Sequence, residues 1–286
     1  MPGDMPDYLV IGAMKCATST LCAYLEDHPE VYCVPRCEPN YFNHDENFAK
    51  GAEWYRSLFK PEGTEKLSGE GSNYYSARAL FPQTAERIAA FNPDMKIIYM
   101  VRDPMVRIVS AWIQRRADSR DAVPPSVDGA VTQMPDDFVG QSLYSYNIAP
   151  YRDHFPAENI FIGFLEDMNR TPDAFYPQIC RFLGIAEKMP ERGHMNTSSG
   201  KKVLGETYTK VNNIPFVKSA KKLAPNGLKR SLRRLLEKDV ADLKPALSPD
   251  VKAQVLRSVR PDAEAILDFA GKPRDFWSLG ADERSS

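Results

Sequence analysis

The stretch Tyr8-Leu9-Val10-Ile11-Gly12-Ala13-Met14-Lys15-Cys16-Ala17-Thr18-Ser19-Thr20 decides the fold. Its apolar first part is short and ends on a glycine, the pattern of a strand buried on both faces of a parallel sheet. From Thr18 to Asp27 the pattern turns helical, with Leu21, Tyr24 and Leu25 on one face, and His28-Pro29 stops it. The first turn of a helix carries N–H groups without intrahelical partners and the positive end of the helix dipole, so it favours an anion. Lys15 adds a full charge, and Thr18, Ser19 and Thr20 add hydroxyls, with Cys16 and Ala17 between them in the loop. The spacing is not G-x-x-x-x-G-K-[ST]: the second glycine is missing and the lysine stands earlier, which disfavours a nucleoside triphosphatase.

Working outward, Lys96-Ile97-Ile98-Tyr99-Met100-Val101 is a second buried strand, followed by Arg102-Asp103-Pro104 and a helix from Pro104 to Arg116 with proline in its first turn. Ile160 to Phe164 is a further strand and Pro172 to Leu183 a further helix. Strands alternating with helices predict an α/β fold: a central parallel sheet of about five strands in three P-loop-like layers, with ligands at the carboxyl ends of the strands. Ala117 to Gln141, polar and weakly periodic, reads as an active-site flap or a surface excursion. Ser248 opens a capped helix running to about Phe269. Residues 1–286 are expected to form one domain, with a basic helical elaboration from about residue 205 onward.

The chain has 286 residues and a formal net charge of −1, with 43% hydrophobic and 26% charged residues. These values exclude a disordered, collagen-like or disulfide-stapled chain, and an overall charge that draws the chain to nucleic acid. No apolar run is long enough to span a bilayer, and the first residues lack the basic and apolar regions of a secretory signal. Cys16, Cys22, Cys33, Cys37 and Cys180 are odd in number and contain no C-x-x-C pair, so reduced thiols and a cytoplasmic location are expected. With four histidines in all, no metal site is expected.

The two loops together resemble those of the sulfotransferases that use 3′-phosphoadenosine 5′-phosphosulfate (PAPS). Gly12 to Thr20 resembles that family's 5′-phosphosulfate loop, G-x-x-K-x-G-T-[TS]. Arg102, Pro104, Arg107 and Ser110 resemble its 3′-phosphate motif, R-x-P-x-x-R-x-x-S. Tyr151 to Pro156 with Ile160 to Asp167, and Phe182-Leu183-Gly184, resemble later segments of the family. The resemblance covers roughly Tyr8 to Leu183 and is nearest to the bacterial and carbohydrate-type branch.

The resemblance implies transfer of a sulfonyl group from PAPS to a hydroxyl, less readily an amine, of a carbohydrate or small metabolite, leaving adenosine 3′,5′-bisphosphate (PAP) and needing no metal. Lys15 would stabilise the leaving oxygen, residues 15–20 would hold the 5′-phosphate, and Arg102 and Ser110 the 3′-phosphate. Glu70, in a family-like E-x-[ST]-x-x-Y context with Ser72 and Tyr75, is the expected base. His28 and His154 are weaker rivals, His28 fitting better as a cap on carbonyls.

Two departures stand out. Ala17 replaces the loop glycine, which is tolerable only if its φ stays negative, and Cys37 stands at a position where relatives carry lysine, with Arg36 beside it. Gly200, Lys201 and Lys202 match a late basic loop that covers the 3′-phosphate, or form a plain surface loop. Lys210 to Lys238 holds nine Lys or Arg against one acid. It reads as a solvated helix face, a steering surface for an acidic glycan, or a peripheral membrane contact without insertion. The alternatives are a nucleotide or metabolite kinase, for which Asp103 is the one carboxylate beside the loop, and a non-catalytic polyanion-binding protein using the basic stretch.

Overall fold

Tyr8–Gly12 does form a strand, β1, and every one of its residues is buried. The computed structural model describes residues 5–35, 38–61, 63, 65–118, 122–190, 202–204, 237–239 and 245–279. In chain order the elements are β1, α1 (Thr18–Glu26), β2 (Val31–Cys33), α2 (Asp45–Phe48), α3 (Ala52–Arg56), β3 (Leu67–Gly71), α4 (Thr84–Phe91), β4 (Lys96–Val101) and α5 (Pro104–Asp118). They continue with α6 (Val127–Gln133), α7 (Pro135–Phe138), α8 (Tyr144–His154), β5 (Ile160–Phe164), α9 (Leu165–Arg170) and α10 (Pro172–Leu183). A short pair, β6 (Lys202–Leu204) with β7 (Glu237–Asp239), and α11 (Pro249–Phe269) follow.

The main sheet has five strands in the order β2-β3-β1-β4-β5, and all its pairings are parallel. The chain starts in the middle with β1, goes to the edge strand β2, returns to β3 beside β1, then crosses β1 to continue with β4 and β5. That reversal puts the loop after β1 at the topological switch point, where such sheets open a crevice. Helices cover both faces, as a parallel sheet without an exposed polar face requires.

The strands β1, β4 and β5 and the helices α1, α5, α10 and α11 lie close to their expected bounds. Two segments differ. Leu67–Gly71 has no unbroken apolar run but is β3, paired with β1 so that Leu9 stands opposite Glu70. Its glycines leave room for neighbouring side chains: a Cβ on Gly69 would meet the Tyr8 ring and one on Gly71 the Cys22 Sγ, at 2.4 and 2.5 Å. In the second segment, Ala117 to Gln141, residues Val127–Gln133 and Pro135–Phe138 form α6 and α7, packed on the body of the fold. Val127, Ala130, Val131 and Phe138 pack with Ile108, Ala111 and Trp112 of α5 and with Val255 and Val259 of α11 into a second apolar cluster. Its spacing at 127, 130 and 131 is helical after all, and Ser126 caps α6 by accepting from Gly129 N at 3.1 Å. Among the described residues no helix is long and apolar enough to cross a membrane.

Candidate active site

The loop after β1 is held from both sides of the crevice. Gly12 has φ 131°, and a Cβ there would fall 2.7 Å from the Asn73 carbonyl oxygen and 2.4 Å from Ser76 Oγ. Only glycine satisfies both the backbone and the space. Lys15 and Ala17 take φ of 74° and 64°. The expectation that Ala17 keeps a negative φ is therefore corrected: the loop enters α1 through a left-handed residue, the geometry that a glycine would adopt without its Cβ cost. Ala17 sits at the N-cap and provides no side-chain cap to the first turn of α1, which keeps those N–H groups for an anion.

Arg102 leaves the end of β4 and donates from Nη1 to the Lys15 carbonyl oxygen at 3.1 Å. The Lys15 ammonium extends toward α5, where its Nζ lies 3.3 Å from Gln114 Oε1. Ser110 is half-buried on that same helix. Lys15, Arg102 and the start of α1, read from stretches far apart in the chain, therefore meet at the carboxyl ends of β1 and β4. Ser19 is exposed and Thr20 half-buried. Cys16 is wholly buried and burial pushes its thiol up to about 11 even with Arg107 and Arg102 nearby, so it is an inert packing group at neutral pH.

Arg107 has no exposed surface. It donates to Met14 O at 3.1 Å, Phe138 O and Ser142 Oγ at 2.9 Å, and Gln141 Oε1 at 3.0 Å. The residue thus fastens the loop after β1 to α7 and the turn that follows it, while adding a fixed positive charge under that loop. Asp103 Oδ1 accepts from Met105 N at 2.8 Å and Val106 N at 3.1 Å, so this carboxylate caps α5. His28, as expected of a cap, lies 2.9 Å from Ala186 O through Nε2. His154 ends α8 on the surface.

Glu70 lies on β3 with no exposed surface. Tyr55 OH donates to its Oε1 at 3.0 Å and Ser72 Oγ to its Oε2 at 2.9 Å, and the nearby Tyr75 hydroxyl also favours its charge. Desolvation pushes its carboxyl up to about 7, and these hydroxyls oppose the shift only in part. The same hydroxyls reach onward: Asn40 N donates to Ser72 Oγ at 3.1 Å and Tyr41 N to Tyr75 OH at 3.0 Å. Glu70 thereby braces the loop after β2.

That loop carries a residue the sequence reading passed over. Glu38 is exposed and its Oε1 accepts from Asn73 Nδ2 at 2.5 Å. Asn73 Oδ1 in turn accepts from the Thr18 hydroxyl at 2.6 Å. A carboxylate open to solvent is thus linked by one side chain to the first residue of α1. The signal available in the sequence was the acid in Pro35-Arg36-Cys37-Glu38-Pro39, overshadowed there by the lysine missing at Cys37. Arg36, Cys37, Gly200 and Lys201 lie outside the described residues, as does most of Lys210 to Lys238. Lys202 begins β6.

A family model described as a sulfotransferase domain matches residues 5–240. Mouse heparan sulfate glucosamine 3-O-sulfotransferase 3B1 is 27% identical over 191 residues, 64% of this chain and 47% of that protein. The membrane-associated sulfotransferase kil1 of Dictyostelium discoideum is 34% identical over 111 residues, 38% of this chain and 22% of that one. The matched stretch thus spans half or less of these relatives' lengths. A sulfotransferase from Alicyclobacillus acidocaldarius superposes with a TM-score of 0.66 at 21% identity, over 94% of this chain and 97% of that one, and shares the fold. With a five-stranded parallel sheet that opens a loop at its switch point and a family match over most of its length, the chain belongs to the sulfotransferase family.

Proposed function

We propose that the chain transfers a sulfonyl group from PAPS to a hydroxyl, less readily an amine, of a carbohydrate or small-metabolite acceptor. The observation that carries this reading is the convergence of Lys15, the uncapped start of α1 and Arg102, joined by the hydrogen bond from Arg102 to the Lys15 carbonyl. Two anionic groups of one donor fit there, one on the helix N-terminus and one beside the Arg102 fork. Relatives named for O-sulfation of heparan sulfate glucosamine support a glycan as acceptor.

In the reaction the acceptor oxygen forms a bond to sulfur as the bond from sulfur to the 5′-phosphate oxygen breaks in line. PAP leaves, and the acceptor proton passes to a carboxylate. Lys15 is placed to offset the charge gathering on the leaving oxygen, while the helix start and Arg102 orient the donor. For the proton, the geometry favours Glu38 over Glu70. Glu70 has both oxygens occupied and no exposed surface, whereas Glu38 stands at the open side of the same loop cluster. A base has to come within hydrogen-bond reach of the acceptor. Glu70 then serves by bracing the loop that presents Glu38.

The test is incubation with PAPS labelled in its sulfonyl group and a panel of acceptors that includes heparan-type glycans. Labelled acceptor and stoichiometric PAP are expected. The reading fails if PAP does not raise the melting temperature and ATP with Mg²⁺ alone does.

A further inference from the structure

Asn73 joins three loops at the donor end of the sheet. Its carbonyl packs on Gly12 at the end of β1. Its side-chain oxygen accepts from Thr18 Oγ1 at 2.6 Å and its amide nitrogen donates to Glu38 Oε1 at 2.5 Å. The orientation of this amide is fixed by chemistry: a carboxylate can only accept, so the NH₂ faces Glu38 and the oxygen faces Thr18. A threonine hydroxyl has one proton, and without a ligand that proton is committed to Asn73. Thr18 is 5% exposed, so no bulk water competes freely for it.

We propose that Asn73 is a positioning residue that couples the donor to the acceptor through the single proton of the Thr18 hydroxyl. This rests on the reading of the helix start as the site of the donor's 5′-phosphate. A phosphate there claims the Thr18 proton, because a hydrogen bond to a charged oxygen is stronger than one to an amide oxygen. Asn73 Oδ1 then loses its donor. Held beside Glu38 by its own NH₂, it becomes an acceptor for a second O–H or N–H of the incoming substrate, next to the hydroxyl that meets Glu38. The site thus takes its substrates in order, donor first, and favours an acceptor with two adjacent donor groups. An unpaired Asn73 oxygen carries a desolvation cost until the acceptor arrives, which is the coupling free energy between the two sites.

The relation predicts opposite effects on the two substrates. In Asn73→Ala, Thr18 is no longer engaged, so PAP should bind about 2- to 10-fold more tightly, the scale of one neutral hydrogen bond. In a Thr18→Ala background the same substitution should leave PAP affinity unchanged. With any acceptor the enzyme turns over, Asn73→Ala should raise the acceptor KM while lowering the donor KM. A residue with a merely structural role would raise both. The measurement is titration calorimetry with PAP on the full chain. No binding by the unsubstituted protein defeats the donor reading itself. Binding by the unsubstituted protein with equal or weaker binding by Asn73→Ala overturns the coupling. Asn73→Leu, which keeps the volume of the side chain without its amide, is measured alongside and is decisive on the same terms if the alanine variant does not fold.

Discussion

Arg102 donates from Nη1 to the Lys15 carbonyl oxygen at 3.1 Å, tying the end of β4 to the loop after β1. The contact uses one N–H of a guanidinium that carries five, so the fork keeps donors for an anion while it steadies the loop. Arg102→Ala should lower PAP affinity by about 1.5–3 kcal/mol, roughly 10- to 100-fold, the scale of a hydrogen bond to a charged group. Arg102→Lys should recover only part of this, because an ammonium cannot hold the carbonyl and a phosphate with one planar fork. Isothermal titration with PAP measures both.

The two glutamates separate by their surroundings. Glu38→Gln should cut kcat by about 100-fold or more, the range of general-base assistance, with PAP affinity unchanged. Glu70→Gln should leave measurable turnover, since Ser72 and Tyr75 can still hold the backbone of Asn40 and Tyr41. Single-turnover rates with labelled PAPS decide between them. Loss of turnover in Glu70→Gln with near-normal rates in Glu38→Gln would reverse the assignment.

Stability should depend on pH through Glu70. Its carboxyl sits at about 7 in the folded chain against an ordinary 4.5, because burial disfavours the charge. The folded chain therefore holds a proton between these values that the unfolded chain has released. The resulting stability is fully present below pH 4.5 and is lost as the pH rises through about 7, an effect of about 3 kcal/mol at most. Asp7 and Asp262, also raised chiefly by burial, add slopes of the same sign at the acidic end. Urea melts from pH 5 to 8 should show stability falling with pH, and Glu70→Gln should flatten the upper part of that curve.

Ala17 carries a Cβ at φ 64°, a conformation that costs an L-residue about 1–2 kcal/mol. Ala17→Gly should raise stability by up to about 1 kcal/mol, the gain being reduced by the greater freedom of glycine in the unfolded chain. Thermal melts measure it. An unchanged or lower melting temperature would mean that the loop does not adopt this turn.

Arg107→Met should destabilise the fold by at least about 2 kcal/mol, because it leaves several buried acceptors without donors. PAP affinity should fall as well, since the Met14 carbonyl loses its anchor at 3.1 Å. A variant with ordinary stability would show that α7 and the loop after β1 do not depend on this guanidinium.

The parallel α/β sheet and the strand–loop–helix that opens it were legible in the residues alone. Those features rest on local patterns: unbroken apolar runs at 8–11 and 96–101, a glycine at the turn, and helical spacing directly after it. A buried strand without such a run was not legible in this way. Leu67–Gly71 carries glycine, serine and glutamate, and it is a strand because Tyr8 and Cys22 occupy the spaces its glycines leave. The surroundings of the two acids came from the folded chain alone. Glu70 and Glu38 are both single glutamates near glycine or proline in the sequence. Pairing of β3 with β1 sinks the first under three hydroxyls, while the loop after β2 leaves the second open to solvent beside Asn73. Burial and hydrogen-bond partners arise from residues far apart in the chain, and these fix how tightly a carboxyl holds its proton and what it can reach.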